Sequence, residues 1–433
     1  MDTRTRSTVL VVLGVVLLAS TLAVSALVTP DRSVDTGEDE TLRTLVGIQG
    51  GGPGWHDHGS VALFEGTDLA WESGGTDSYF DVTMLDNGSV TAGFMQAGYD
   101  DCGPYDSPCT HTGFRVIDPG SESDPDPEIV SEYSFPVRTP TNSELHDVER
   151  LGDGEYLVTD MEHERLAVVE DGEVVWEWRG EEFYDAPDDP TRTDWLHFND
   201  VDVVGDGRYL VSVRNANQIL VVERGEGVVE VINEDDGGDD DSCTRNNQLR
   251  DTDGDGDVRC GDPEVLDHQH NPQWLGEGAV LVADSDNNRI VELHLNESTD
   301  EWEVAWELDT VGGIALDWPR DADRLDNGNT LVTDTLNKRV VEVDRNGTVV
   351  WSATTDQIPY EADRLPEGER PTGERYGTVN TADADRIPVL DPAVSLLRGA
   401  VPALPYWFTG VQLGLSLVSL GLVGGGGYLR WRA

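Results

Sequence analysis

Five stretches of this chain repeat one pattern, and repetition restricts a fold more than any single motif does. They are FDVTMLDNGSVTAGF (80–94), HDVERLGDGEYLVTD (146–160), NDVDVVGDGRYLVSV (199–213), HNPQWLGEGAVLVAD (270–284) and RDADRLDNGNTLVTD (320–334). In each, a polar or aromatic residue opens a short strand. An apolar residue follows five positions later, and then Asn-Gly, Asp-Gly or Glu-Gly leads into a second strand. Those dipeptides suit the tight turn of a hairpin. A sixth, partial copy, YEADRLPEG, lies at 360–368.

Two more strands follow the pair, as in RLAVVEDGEVVWEW (165–178) and RVVEVDRNGTVVWS (339–352). The unit is a four-stranded antiparallel meander, the grammar of a β-propeller blade. Five blades are complete. The run SVALFEGTDLAWES (60–73) reads as the outer strands of a blade that lacks its inner ones, and 360–368 as an inner piece without outer strands. Joining the two gives an all-β, six-bladed propeller over 45–390, with an acidic insert at 234–264. A seven-bladed ring or an open solenoid is the alternative.

Both flanks are apolar. Residues 8–28 and 406–429 carry no charge and are long enough to span a bilayer. Arg4 and Arg6 precede the first run, and Arg430 and Arg432 follow the second. The positive-inside rule then puts 1–7 and 430–433 in the cytoplasm and the propeller outside the cell membrane. A cleaved signal peptide is the other reading of 8–28. Four cysteines, Cys102 with Cys109 and Cys243 with Cys260, fit two local disulfides in an oxidising compartment. Sequons at Asn87, Asn296 and Asn346 would be open to glycosylation there.

The net charge of −56, with Lys338 as the only lysine, excludes a nucleic-acid partner. The acid is spread along the chain, as expected for life at high salt, where screening relieves self-repulsion. A halophilic archaeal source follows as an expectation. Twelve tryptophans argue against a disordered acidic chain.

In a propeller the first strand of each blade lines the central channel. The equivalent first positions are Phe80, His146, Asn199, His270, Arg320 and Tyr360, expected as one ring at one mouth. Two positions earlier lie Glu144, His197, His268 and Trp318, on the same side if the strand extends that far. The second strand returns to this mouth with Asp160, Asp284, Asp334 and, after Val213, Arg214. Four of nine histidines thus converge. Histidines that merely cap separate strands are the plain alternative.

At this point the sequence resembles the arylsulfate sulfotransferase (arylsulfotransferase) family, as a membrane-anchored member of haloarchaeal type. The likeness is carried by HDVERLGDG (146–154), WLHFNDVDVVGDGRYLVSVRNANQI (195–219) and HQHNPQWLGEG (268–278). It implies a six-bladed propeller enzyme that moves a sulfuryl group from an aryl sulfate to a phenol through a sulfohistidine, with no cofactor required. Carried over, His270 is the nucleophile. His146, His197 and Arg214 bind the sulfuryl oxygens, and Asn199 orients His197 or the ester. His268 and Arg320, at the same mouth, are further substrate-binding candidates. Ser212-Val213-Arg214-Asn215 stands where the family often reads Ser-Ser-Arg-His-Gln. The residue types suit the chemistry: imidazole is a nucleophile that can be regenerated, and arginine offers paired donors to anionic oxygens.

Other sites compete. Asp251, Asp253, Asp255, Asp257 and Asp262 fall at positions 1, 3, 5, 7 and 12 of an EF-hand-like spacing, with Gly256 at 6, a candidate calcium loop. His56 and His58 either approach the ring or sit on a loop. A zinc site of His197, His268 and His270 is the chemical rival. The competing functions are a non-enzymatic cell-surface propeller that binds a partner or glycan, and a lyase or lactonase with a metal in the channel.

Overall fold

The computed structural model describes every residue except 1, 36–41, 122, 153, 236–240, 246–247, 252–257, 378, 381–385 and 402. One compact unit comprises 32–311 and 316–382; the other comprises 1–31, 312–315 and 383–433.

The first unit is a six-bladed propeller of four-stranded antiparallel sheets. Blades one to five run along the chain, with first strands or ring residues at Ser78–Met84, Val148–Gly152, Phe198–Gly205, His270–Gly276 and Asp321–Arg324. The sixth blade is composite. Its inner strand, Ile358–Leu365, pairs with Arg43–Gly50, which pairs in turn with Gly59–Glu65 and Asp68–Thr76. The N-terminal part thus supplies three strands, one more than its sequence suggests. Val34–Asp35 also adds an edge to the fifth blade.

Alternation along the strands builds the core. In the third blade Tyr209 and Val211 pack toward the second blade, while Leu210 packs toward the fourth. In the fourth, Val280 and Val282 face the third blade and Leu281 faces the fifth. Six apolar clusters result, one per seam between neighbouring blades. Each fully buried Val or Leu contributes about 1.5–3 kcal/mol.

Nearer the axis a second device closes every seam. A first-strand side-chain oxygen of one blade accepts a backbone N–H from the first strand of the next. Asp81 takes Val148 at 3.1 Å, Asp147 takes Val201 at 2.6 Å, Asp202 takes Trp274 at 3.4 Å and Gln273 takes Arg324 at 2.7 Å. Asp321 takes Ala362 at 3.0 Å, and Glu361 takes Val82 at 3.4 Å, which completes the circle.

The second unit holds α1 (Thr3–Val28), α2 (Leu390–Ala400) and α3 (Gly410–Arg432). α1 and α3 are long and apolar enough to cross a membrane. They lie antiparallel: Ser7 Oγ donates to Gly426 O at 2.8 Å, and near the far end Gln412 Nε2 donates to Ser25 Oγ at 2.8 Å. Small residues permit the approach, since a Cβ on Gly14 would meet Ser419 O at 2.6 Å. The two termini of this hairpin therefore lie at one end. Cys102–Cys109 and Cys243–Cys260 are disulfides.

Candidate active site

Local backbone geometry sets the site. Strand geometry does not extend two positions before each ring residue, as the sequence reading required. His197, His268 and Trp318 are instead held at φ +57°, +51° and +54°. These left-handed conformations are fixed by the preceding blade. Glu164 accepts the His197 N–H at 2.8 Å, Asn217 the His268 N–H at 3.0 Å, and Asn288 the Trp318 N–H at 2.8 Å. The three acceptors are themselves left-handed, at the same place in three successive turns.

His270 is 1 % exposed. Its Nδ1 lies 2.8 Å from Ser285 Oγ and 3.2 Å from His268 O. Ser285 has one proton and donates it to Pro319 O at 2.7 Å. Both partners of Nδ1 therefore accept, so Nδ1 carries the hydrogen and Nε2 keeps its lone pair. Burial, together with the positive charges of Arg320 and Arg214, holds this imidazole well below its ordinary range, so it is neutral.

Two guanidiniums serve the same mouth. Arg214 opens the turn after the third blade's second strand, and its charge also depresses His146 and His197. Its Nη1 donates to Asn215 Oδ1 at 2.7 Å, and Asn215 is tied in turn to Asp194 and Trp195. Arg320 is buried, donates to Gln49 Oε1, and lies 4.7 Å from the Trp318 ring and 4.8 Å from the Tyr360 ring. Burial, helped by the like charge of Arg214, lowers it to about 10.

Glu144 sets a buried carboxyl against two histidines. Its oxygens lie 3.3 Å from His56 Nε2 and 3.4 Å from His146 Nε2. Burial pushes its carboxyl up to about 8 against the pull of Arg320. His146 stacks on His197 at 5.1 Å and on Tyr360 at 5.4 Å. His270 meets Tyr360 at 6.1 Å and Trp318 at 6.2 Å. With Trp55 at 4.7 Å from Trp318, these rings form an aromatic wall beside the guanidinium of Arg320.

Most residues named from the sequence thus meet at one mouth. His197 Nδ1 is bound to Asp194 Oδ1 at 2.8 Å. Asn199 is tied by Nδ2 to Gln269 O at 2.9 Å, directly before His270. His268 Nδ1 lies 2.9 Å from Asp267 and 3.1 Å from Asp286; burial works against its charge, but the two carboxylates outweigh it and raise its pKa. His56 joins through Glu144, whereas His58 is exposed. Asp160, Asp284 and Asp334 do not serve the mouth. Each grips an arginine five residues on, at 2.7 Å.

Among the described residues, the groups able to hold a metal at this mouth are Glu144–His146–His197 and Asp267–His268–Asp286. They place His197 and His268 in different groups and His270 in neither, so the three imidazoles of the zinc reading are not united. In the acidic insert, Asp262 Oδ1 accepts the Glu264 N–H at 2.8 Å and Asp251 is exposed; Asp253, Asp255 and Asp257 lie outside the described residues. Trp55, Ser285, Glu164, Asn217 and Asn288 escaped the sequence reading. The one available signal was their equivalence in the turns after second strands, which Ser285 shares with Arg214.

No curated protein matches the chain. Solved structures that resemble it include a protein of unknown function from Bacteroides caccae, 15 % identical over 75 % of this chain and 99 % of that one, with a TM-score of 0.48. A periplasmic gluconolactonase of Pseudomonas aeruginosa is 12 % identical over 75 % and 98 %, with a TM-score of 0.41. Virginiamycin B lyase of Staphylococcus aureus is 11 % identical over 63 % and 68 %, with a TM-score of 0.34. Residues 183–356, which include His197, Asn199, Arg214, His268, His270 and Arg320, match the model of the arylsulfotransferase (ASST) family.

Proposed function

We propose that the chain is a membrane-held sulfotransferase that passes a sulfuryl group from an aryl sulfate ester to a phenol through a sulfohistidine on His270. The observation that carries this reading is the oriented imidazole, held neutral by burial and by the charges of two nearby guanidiniums. Nε2 attacks sulfur; the N–S bond forms as the aryl S–O bond breaks, and the electron pair leaves with the phenolate. The ring keeps its Nδ1 hydrogen and becomes cationic in the adduct, where Ser285 Oγ and His268 O stabilise it as acceptors. Arg214 and Arg320 hold the sulfuryl oxygens, with His146 and His197 beside them and Asn199 fixing the backbone before His270.

Glu144, protonated at neutral pH, gives its proton to the leaving phenolate. The acceptor phenol returns a proton to Glu144 as its oxygen attacks sulfur and the N–S bond breaks. Trp55 and Trp318 supply faces for the aryl groups. The two apolar helices anchor the enzyme with both termini in the cytoplasm and the propeller outside, where two disulfides persist. The abundant carboxylates suit a salt-loving archaeon.

The test is phenol release from a chromogenic aryl sulfate plus a phenol acceptor, at high salt. His270→Ala is expected to lose at least about 10³-fold. Release that survives this substitution ends the nucleophile assignment. Absence of release by the unsubstituted chain across several donors favours a non-enzymatic surface propeller. A second reading, a metal-dependent lyase or hydrolase, is favoured only by the Glu144–His146–His197 set. Metal analysis of the purified chain, with activity before and after chelation, separates the two.

A further inference from the structure

We propose that the channel end away from the histidines binds one hard divalent cation of the calcium class, through the carboxylates of Glu149, Asp202 and Glu369. Glu149 and Asp202 belong to the first strands of the second and third blades, and Glu369 to the turn after the sixth blade's inner strand. Oxygens of the three lie within 4.8 Å of one another. That span matches two calcium–oxygen bonds of about 2.3–2.6 Å each.

An acidic cluster alone does not make a site, and here neighbouring groups point to a ligand independently. Asp363 is 1 % exposed and accepts the Glu369 N–H with one oxygen. Its Oδ2 has no hydrogen-bond partner and faces the same turn, 3.6 Å from where a Cβ on Gly368 would sit. Asn271 donates from Nδ2 to Glu361 at 3.1 Å, yet its buried Oδ1 also lacks a partner. Both Asp363 Oδ2 and Asn271 Oδ1 are buried acceptors with nothing to accept.

Charge gives the same answer. Among the described residues no arginine or lysine pairs with Glu149, Asp202, Asp363 or Glu369. Asp323 is raised by burial and by the carboxylates of Asp321, Asp363 and Asp202, so acids from the third, fifth and sixth blades act on one another across the axis. At Asp202 the staple described above occupies Oδ2. Oxygen-only donors of this kind select calcium over thiolate- or imidazole-seeking metals.

The experiment uses the full chain in detergent, stripped with chelator and titrated with calcium chloride by calorimetry and thermal melting. One ion per chain and a melting point raised by several degrees are expected. Glu369→Ala, on a partly exposed turn outside the blades, is expected to weaken binding at least about tenfold while its calcium-free melt stays at that of the unsubstituted chain. Glu149→Gln gives the same loss independently. Replacing the 251–262 aspartates by asparagine, or Glu144 by glutamine, leaves the channel event in place. No heat and no melting shift at millimolar calcium overturns the proposal, and so does binding that survives both Glu369→Ala and Glu149→Gln. Neither outcome bears on sulfuryl transfer.

Discussion

The turn after the second strand is built one way in blades two, four and five and another way in blade three. In the first three, Asp160, Asp284 and Asp334 each hold the Nε of Arg165, Arg289 or Arg339 at 2.7 Å. In blade three Val213 and Gln218 occupy those places, and Gln218 accepts the hydroxyl of Tyr184 at 2.7 Å instead. The clamp is gone from the one turn that sends an arginine, Arg214, to the mouth. In the shared frame Arg214 thus stands four positions before the place of the clamped arginines. A propeller with several copies of a clamp can give up one where chemistry requires it.

Breaking the clamp itself should have the largest effect. Arg339 is 2 % exposed, and Arg339→Ala leaves the Asp334 carboxylate buried. A loss of about 3–5 kcal/mol in denaturant unfolding is expected, with the transfer rate of the remaining folded protein unchanged. Arg214→Ala inverts that result. Transfer falls about 10²–10³-fold while the unfolding midpoint stays put, because no carboxylate loses its clamp.

The next contrast concerns pH. Burial raises Glu144 from the ordinary carboxyl value of 4.5 to about 8, so the acid form is present below that and is lost as pH rises through it. Transfer should therefore decline above about pH 8, approaching tenfold per pH unit. Glu144→Gln, measured over the same range, should be slow throughout and lack that limb. Ser285→Ala sharpens the comparison at its finest. Ser285 stands in blade four where Arg214 stands in blade three, but it acts only by positioning His270. His268 O remains as an acceptor, so a fall of roughly three- to tenfold in kcat with little change in KM is expected.

The repeat and its ring of first positions could be read from the chain because each rests on local pattern: turn dipeptides, strand alternation and a fixed offset to Phe80, His146, Asn199, His270, Arg320 and Tyr360. The mouth's finer geometry could not. His197 and His268 owe their conformation to Glu164 and Asn217, more than thirty residues away, and no spacing rule links them. The strand Arg43–Gly50 was hidden because its partner lies over three hundred residues downstream. The aspartates of FDV, HDV and RDA were legible as a recurring letter, but their bonds across the seams depend on ring closure.

That closure also imposes an order of assembly. The inner strand of the sixth blade is the last of the ring to leave the ribosome, and it carries Tyr360, whose ring touches His146, His270 and Arg320 together. A nascent chain of five blades holds His270 and both guanidiniums but lacks the side chain on which they converge. The chemistry proposed for this mouth thereby waits until synthesis of the propeller is finished.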